Sequence, residues 1–562
     1  MTKPYKAATP EQTVDRIKCI IARHCLPVEE QLLGDGDMFC SCRISLANGG
    51  DTSIGTNGKG MRMDYALASG YAEFMERLQN RVLVYPNPAN IGQRCRFFCD
   101  ERDYSYEHEQ GMEVIRRFAP MVIPQERVSF DRLEGKEVPF YHYNSGTCRY
   151  VPYSLIRWLN GSNGMCAGNI PEEAVIQGFN EIFERYCIQR LYLDRLTPPD
   201  IPAAYFEGTE ILERLRRMKR EFGYDFAVKD CSLGEGYPVL GLLIYSPDRA
   251  KYIFHLGADL SAVTALERCF TEVFQGYTGE SLRFENDINR CERLDLFNEF
   301  KRSLMHGRGR MHAEFFGSEP SYPFTGHGAI PVGKDFREDC ANICRWLISR
   351  GYEIYIRDNS FLGFPTFHIV VPGLSEINAA FCNLQRRITH MTATENRLNP
   401  LYHLPSVSEE EARRAIEFLH LLHGDAIDLM SRNSARSNHV NRHLILALLR
   451  LLIADKDGAE ASLERYEESY REAGKTPNRT FSNLLACLKG EECDDPVAHK
   501  IMADPRWALQ NIGAPECFRC DDCKISGQCS IELLRQIEER MQEAMEQYNF
   551  RQYRFPQADE TE

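Results

Sequence analysis

Apolar and polar positions along the chain follow two periods, one helical and one extended. Thr9-Pro10-Glu11-Gln12 is a capping box with proline at the first helical position, which predicts a helix over 10–23. An apolar run over 238–245, following Gly234 and Gly236, predicts a buried strand, and 252–256, 352–356 and 367–371 read in the same way. Apolar residues three and four apart over 262–274 predict a largely buried helix. Strands interleaved with amphipathic helices make residues 1–400 an α/β or α+β unit. The character changes around Asn399-Pro400. Ser408-x-x-Glu411 caps a new helix and strand signals then disappear, which predicts an all-α C-terminal domain over 407–562. A chain of 562 residues exceeds the limit of about 250–300 for a single core, so two units are expected.

Two of the helical segments share a pattern. Ala66, Gly70, Tyr71, Glu73, Glu76 and Arg77 recur 108 residues later as Ala174, Gly178, Phe179, Glu181, Glu184 and Arg185. Residues three and four apart share a helix face, so each copy stacks two carboxylates, which repel by about 0.2–0.5 kcal/mol unless a cation intervenes. One Glu-x-x-Glu is ordinarily a solvated face. Here Ala66, Gly70 and Glu73, and again Ala174, Gly178 and Glu181, lie on one stripe, and small residues there imply close approach of another element. Glycine inside a helix costs roughly 1 kcal/mol relative to alanine, so a packing reason is expected. In the second copy Glu173, Gln177, Glu181 and Glu184 form a row of hard oxygen and amide ligands suited to magnesium with phosphate. Arg268 and Glu272, at i and i+4, read either as an intrahelical ion pair or as part of the site. Asn57-Gly58-Lys59-Gly60 reads as a simple turn or a weak phosphate cradle, and it lacks the P-loop pattern.

Composition changes the picture only at its edges. Lys+Arg 67 against Asp+Glu 81 leaves a net charge of −14, a field that opposes nucleic acid. No segment is apolar enough to span a bilayer, residues 1–23 lack a signal-peptide pattern, and neither membrane nor secretion is expected. The 21 cysteines, several inside apolar helical patterns (Cys187, Cys269, Cys344), suit a reducing cytoplasm better than a disulfide framework. Cys517-x2-Cys520-x2-Cys523-x5-Cys529 stands apart. Its gaps suit an iron–sulfur cluster or zinc, and the reading without metal stays open.

Gly58-Lys59-Gly60, Ala66-x-x-x-Gly-x-x-Glu-x-x-Glu-Arg, Ser162-Asn163-Gly164 with Gly168-Asn169, Ser232-Leu233-Gly234, Ala265-Leu266-Glu267-Arg268-x-x-Thr271-Glu272 and Val371-Pro372-Gly373 together resemble the YcaO family over residues 1–400. The resemblance implies a YcaO-type ATP-binding domain that binds ATP and magnesium between carboxylate-bearing helices. Glu73, Glu76, Glu173, Glu181, Glu184 and Glu272 would then serve the metal, and Lys6, Thr13, Asn169, Gln177, Arg185 and Arg268 the nucleotide. Thr13 keeps the hydroxyl of the family's serine, whereas Cys166 replaces a second serine. No general base is assigned. The implied chemistry is ATP-dependent amide activation in a protein or peptide. The chain is most similar to the branch that assists β-methylthiolation of a ribosomal protein by a radical-SAM enzyme. The alternatives are a thioamide-forming enzyme with a TfuA-like partner and a non-catalytic, nucleotide-switched binding protein. The tail Phe555-Pro556-Gln557 lacks the Pro-x-Pro-x-Pro of azoline-forming members, and the resemblance makes a homodimer plausible.

Overall fold

The computed structural model describes residues 6–35, 39–47, 54–84, 97–121, 128–274, 282–288, 295–307, 309–377, 407–421, 426–428, 439–472, 474–510 and 530–550. The first sheet is β1 (Val28–Asp35), β2 (Cys40–Leu46) and β3 (Gly55–Gly60), in that order. A six-stranded sheet runs β4 (Arg102–Glu107), β5 (Arg132–His142), β13 (Tyr355–Asp358), β14 (Thr366–Val370), β7 (Met165–Ala167), with β6 (Thr147–Val151) paired to β5. The third sheet is β8 (Asp200–Ile201), β9 (Asp225–Asp230), β10 (Val239–Tyr245), β11 (Lys251–Ala258) and β12 (Asn286–Asp287). All these described pairings are antiparallel, so the fold takes the α+β form.

Helix α1 (Pro10–Arg23) begins with the capping box read from the sequence, both hydrogen bonds of which are made. Helix α2 (Met63–Gln79) packs on the first sheet. Helices α3 (His108–Phe118) and α4 (Tyr153–Asn160) complete the first core with Ile115, Leu155 and Leu159. Helix α5 (Pro171–Leu193) is buried along both faces and forms the spine of a second core, opposite β14 and β11. Helices α6 (Glu210–Phe222) and α7 (Ala262–Val273) cover the far face of the third sheet. Helices α8 (Leu296–His306) and α9 (Phe336–Ser349) pack against α5.

After residue 406 the helices α10 (Glu409–Leu421), α11 (Arg442–Leu452), α12 (Lys456–Glu472), α13 (Arg479–Leu488), α14 (Pro496–Ala503) and α15 (Pro505–Gln510) share a separate apolar core. Ser408 and Glu411 make the expected cap. Strand structure does not vanish as expected: β15 (Ala426–Asp428) and β16 (His439–Asn441) pair antiparallel. The last helix, α16 (Ser530–Glu546), leaves this helical group. Ile537, Met541 and Met545 enter the N-terminal core instead. There Glu538 pairs with Arg81, and neither is more than 2% exposed. Arg81 also donates from Nε to the Phe97 carbonyl at 3.1 Å. No helix among the described residues is long and apolar enough to cross a membrane.

Candidate nucleotide–metal site

Close packing explains the small residues of the repeated pattern. On β3, a Cβ at Gly58 would lie 2.0 Å from the Ala66 carbonyl oxygen and 2.6 Å from Gly70 N of α2. Thr56 Oγ1 donates to the Gly70 carbonyl at 2.9 Å, and the Cys42 thiol to that of Ala66 at 3.2 Å. The second copy repeats the arrangement: a Cβ at Gly178 would meet Cys166 Sγ at 2.8 Å and one at Gly168 would meet Ala174 N at 2.7 Å. A third copy, missed in the sequence, occurs on α7. A Cβ at Gly257 would meet the Ala265 carbonyl oxygen at 2.4 Å and Cys269 N at 2.7 Å, and Glu272 follows Cys269 by three residues as Glu73 follows Gly70. Its signal was present as Ala-x-x-x-Cys-x-x-Glu, obscured because cysteine replaces glycine.

The three helices direct their carboxylates at one another. Burial raises the Glu76 carboxyl well above its ordinary range, with Glu181 and Glu73 adding to the shift against Arg77. Burial also raises Glu181, with Glu73 and Glu272 contributing, and pushes Glu184 up to about 7, with Glu272 the foremost neighbouring charge. Burial would raise Glu272 too, but the ammonium of Lys59 on β3 pairs with it and holds it below its ordinary value. Of the two readings of Arg268 and Glu272, the intrahelical ion pair is not the one formed: Arg268 Nη2 lies 3.4 Å from Asp259 Oδ2 instead. Asn57-Gly58-Lys59-Gly60 is likewise no turn, since these residues are strand β3. Arg77 lies 3.6 Å from Glu73 and 3.4 Å from Glu76, and Arg185 3.8 Å from Glu181. These cations offset part of the repulsion only.

A second group borders the carboxylates. Glu173 on α5 receives the Lys6 ammonium at 3.5 Å and the Ala7 amide at 3.0 Å. The Thr13 hydroxyl on α1 lies 2.8 Å from Asn169 Oδ1, and Asn169 Nδ2 lies 3.4 Å from Glu173. Burial lowers the Lys6 ammonium, Glu173 and Asp259 oppose that, and Arg268 reinforces it. The charges of Lys6 and Arg268 are thus near enough to repel each other. Gln177 stands half-buried on α5 between Glu173 and Glu181. Cys166 is fully buried, its thiol 3.6 Å from the Phe367 carbonyl, and burial with Glu76 and Glu181 nearby keeps it protonated. The pairing of Lys59 with Glu272, and the part of Asp259, are not legible in the sequence because the partners are remote from any local spacing. Cys517, Cys520, Cys523 and Cys529 lie outside the described residues.

The donor set suits magnesium and phosphate. Five carboxylates from three helices offer hard oxygens, and buried Glu76 Oε1 accepts no hydrogen bond. The buried Nε groups of Arg185 and Arg268 donate none, as cations awaiting an anion would.

Residues 57–375 match the family model described as YcaO cyclodehydratase, ATP- and Mg2+-binding. That span takes in every proposed carboxylate and leaves Lys6 and Thr13 before it. The chain is 27% identical over 353 residues to the ribosomal protein S12 methylthiotransferase accessory factor YcaO of Escherichia coli (strain K12), covering 58% of each. It is 26% identical over 347 residues to an uncharacterized protein of Haemophilus influenzae, again covering 58% of each. The chain thus spans somewhat over half the length of these relatives. Among solved structures, a heterocyclase in complex with substrate and cofactor superposes with a TM-score of 0.49 at 17% identity, over 67% of this chain and 53% of that one. The YcaO from Methanopyrus kandleri bound with AMPPCP and Mg2+ gives 0.42 at 18%, over 68% and 94%.

Proposed function

The chain belongs to the YcaO family, and from that premise we propose that it binds ATP and magnesium to activate an amide in a protein or peptide. One observation carries the reading: Glu73, Glu76, Glu181, Glu184 and Glu272 converge from three helices with too few cations to balance them. Glu73, Glu76, Glu181, Glu184 and Glu272 would ligate magnesium. Lys6, Arg185 and Arg268 would face the phosphates, with Thr13, Asn169 and Gln177 beside the nucleotide. When bound, the metal nucleotide supplies a transferable phosphoryl group whose charge is shared by metal and cations. The protein's part is positional. Glu173 holds Lys6, Asp259 holds Arg268 and Lys59 keeps Glu272 ionised, so the cations and the ligand oxygens are set before substrate arrives. The finer assignment follows the named Escherichia coli relative: an accessory role in β-methylthiolation of a ribosomal protein.

Calorimetry of ATP binding with and without magnesium tests the site in wild type, Glu73→Gln and Glu181→Gln. Magnesium-dependent binding that both substitutions abolish is expected. Absence of binding in the wild type, or normal binding in both variants, would overturn the assignment. Binding without ATP turnover in the presence of acceptor would make the chain a nucleotide-switched binding protein.

A further inference from the structure

Far from the carboxylates, α13 and α14 bring two sulfurs and an imidazole together. Cys487 lies in the last turn of α13, Cys493 in the loop that follows, and His499 on α14. One ligand atom from each, the two Sγ and a ring nitrogen, all lie within 4.8 Å of one another. The spacing is Cys-x5-Cys-x5-His, a wider and less distinctive signal in the sequence than the denser cysteines after residue 516.

We propose that Cys487, Cys493 and His499 form a zinc site. Tetrahedral zinc binds thiolate at about 2.3 Å and imidazole at about 2.0–2.1 Å, which sets its ligand atoms roughly 3.5–3.8 Å apart, so the two sulfurs, bonded to each other here, must be parted by reduction before they ligate. The donors are soft, unlike the hard oxygens of the magnesium site, so the two sites select different metals. The frame is firm. Phe481, Leu484, Leu485, Ala498 and Ile501 anchor both helices in the C-terminal core, and Asn483 Nδ2 donates to Asp495 Oδ2 at 3.0 Å across the loop. His499 Nε2 lies 2.8 Å from the Cys493 carbonyl. As donor there, it leaves the lone pair on Nδ1, the kind of second hydrogen bond that orients metal-binding histidines. Glu491, Glu492 and Asp494 in the same loop add negative charge.

The structure joins Cys487 to Cys493 as a disulfide, and the disulfide and the metal exclude each other. A thiol or phosphine reductant supplies two electrons, two protons are taken up, and the S–S bond yields two thiols. Zinc then displaces both thiol protons as it binds.

The test counts zinc in the full-length chain after phosphine reduction, loading and dialysis. Wild type, Cys487→Ser, His499→Ala and a fourfold variant with serine at Cys517, Cys520, Cys523 and Cys529 are compared. Cys487→Ser is expected to lose one equivalent and His499→Ala to bind that equivalent at least 10-fold more weakly. The fourfold variant is expected to keep it. With Co2+ in place of zinc, the fourfold variant should show a sulfur-to-cobalt charge-transfer band that Cys487→Ser, placed in the same background, removes. His499 is exposed, so its variant keeps the fold, as circular dichroism will check. Equal zinc in wild type, Cys487→Ser and His499→Ala would overturn the proposal. So would loss of the equivalent in the fourfold variant alone.

Discussion

Replacing Gly58 by alanine probes whether the seating of α2 on β3 sets the metal ligands. Gly58 has no positive φ, so alanine is permitted by the backbone and the effect is one of packing. Its Cβ would stand 2.0 Å from the Ala66 carbonyl oxygen, where 3.4 Å is the lower edge of ordinary contact. Helix and strand must therefore separate by about 1.4 Å, because the two nearest atoms are backbone and cannot turn aside. That movement loosens Phe74, Met75 and Leu78 in the first core, and overpacking of this kind costs about 1–3 kcal/mol. It also carries Glu73 and Glu76 away from Glu181. Displacement of about 1 Å in a functional site costs roughly 10²-fold, so magnesium-dependent ATP binding should weaken by about that factor. Gly70→Ala is the control. Its Cβ meets Cys42 Sγ and Ile44 Cγ1 at 3.0 Å and Gly58 N at 3.2 Å, contacts relieved by shifts of a few tenths of an ångström, and the helix gains about 1 kcal/mol of propensity. Urea denaturation and calorimetry on both variants decide the matter. Gly58→Ala within about 0.5 kcal/mol of wild type with undiminished binding would refute the reasoning. A larger loss in Gly70→Ala would refute it equally.

Other perturbations follow from buried charge. Glu538→Ala leaves the fully buried Arg81 guanidinium without its carboxylate and should cost about 3–5 kcal/mol in denaturant unfolding, whereas a joint Arg81→Met, Glu538→Leu variant should recover most of that. Burial raises the Glu376 carboxyl from 4.5 to about 7 against the Gly373 amide. The fold therefore favours its protonated form, and that stabilisation, complete below pH 4.5, is lost as pH rises through 7. Glu376→Gln should remove the dependence, gaining up to about 3 kcal/mol on wild type between pH 5 and 8 by urea titration.

Local chemistry was legible in the sequence, and long-range pairing was not. Thr9 and Gln12 close the helix cap with atoms three residues apart, and the apolar run after Gly236 is strand β10 as read. The strand expected over 352–356 starts at Tyr355 instead. Strand β3 escaped because Gly-Thr-Asn-Gly-Lys-Gly has poor strand propensity, which the close seating of α2 overrides. Of the site, the repeated carboxylates were visible because helical spacing displays them. Lys59 was visible only as a weak phosphate cradle; its pairing with Glu272 was not, because the two meet across 213 residues. Of the two readings left open for Arg268 and Glu272, the i, i+4 pair gives way for the same reason: Asp259 and Lys59 reach them from other elements.

The partners Arg81 and Glu538 stand 457 residues apart. At a synthesis rate of about 5–20 residues per second, Arg81 leaves the ribosome roughly 20–90 seconds before Glu538 exists. Throughout that interval the first core has an open seat where Ile537, Met541 and Met545 will lie, and a guanidinium that must stay hydrated. The unit made first is therefore closed last. A chain cut short before α16 exposes both the apolar seat and the lone cation, the marks by which quality control distinguishes an unfinished protein from a finished one.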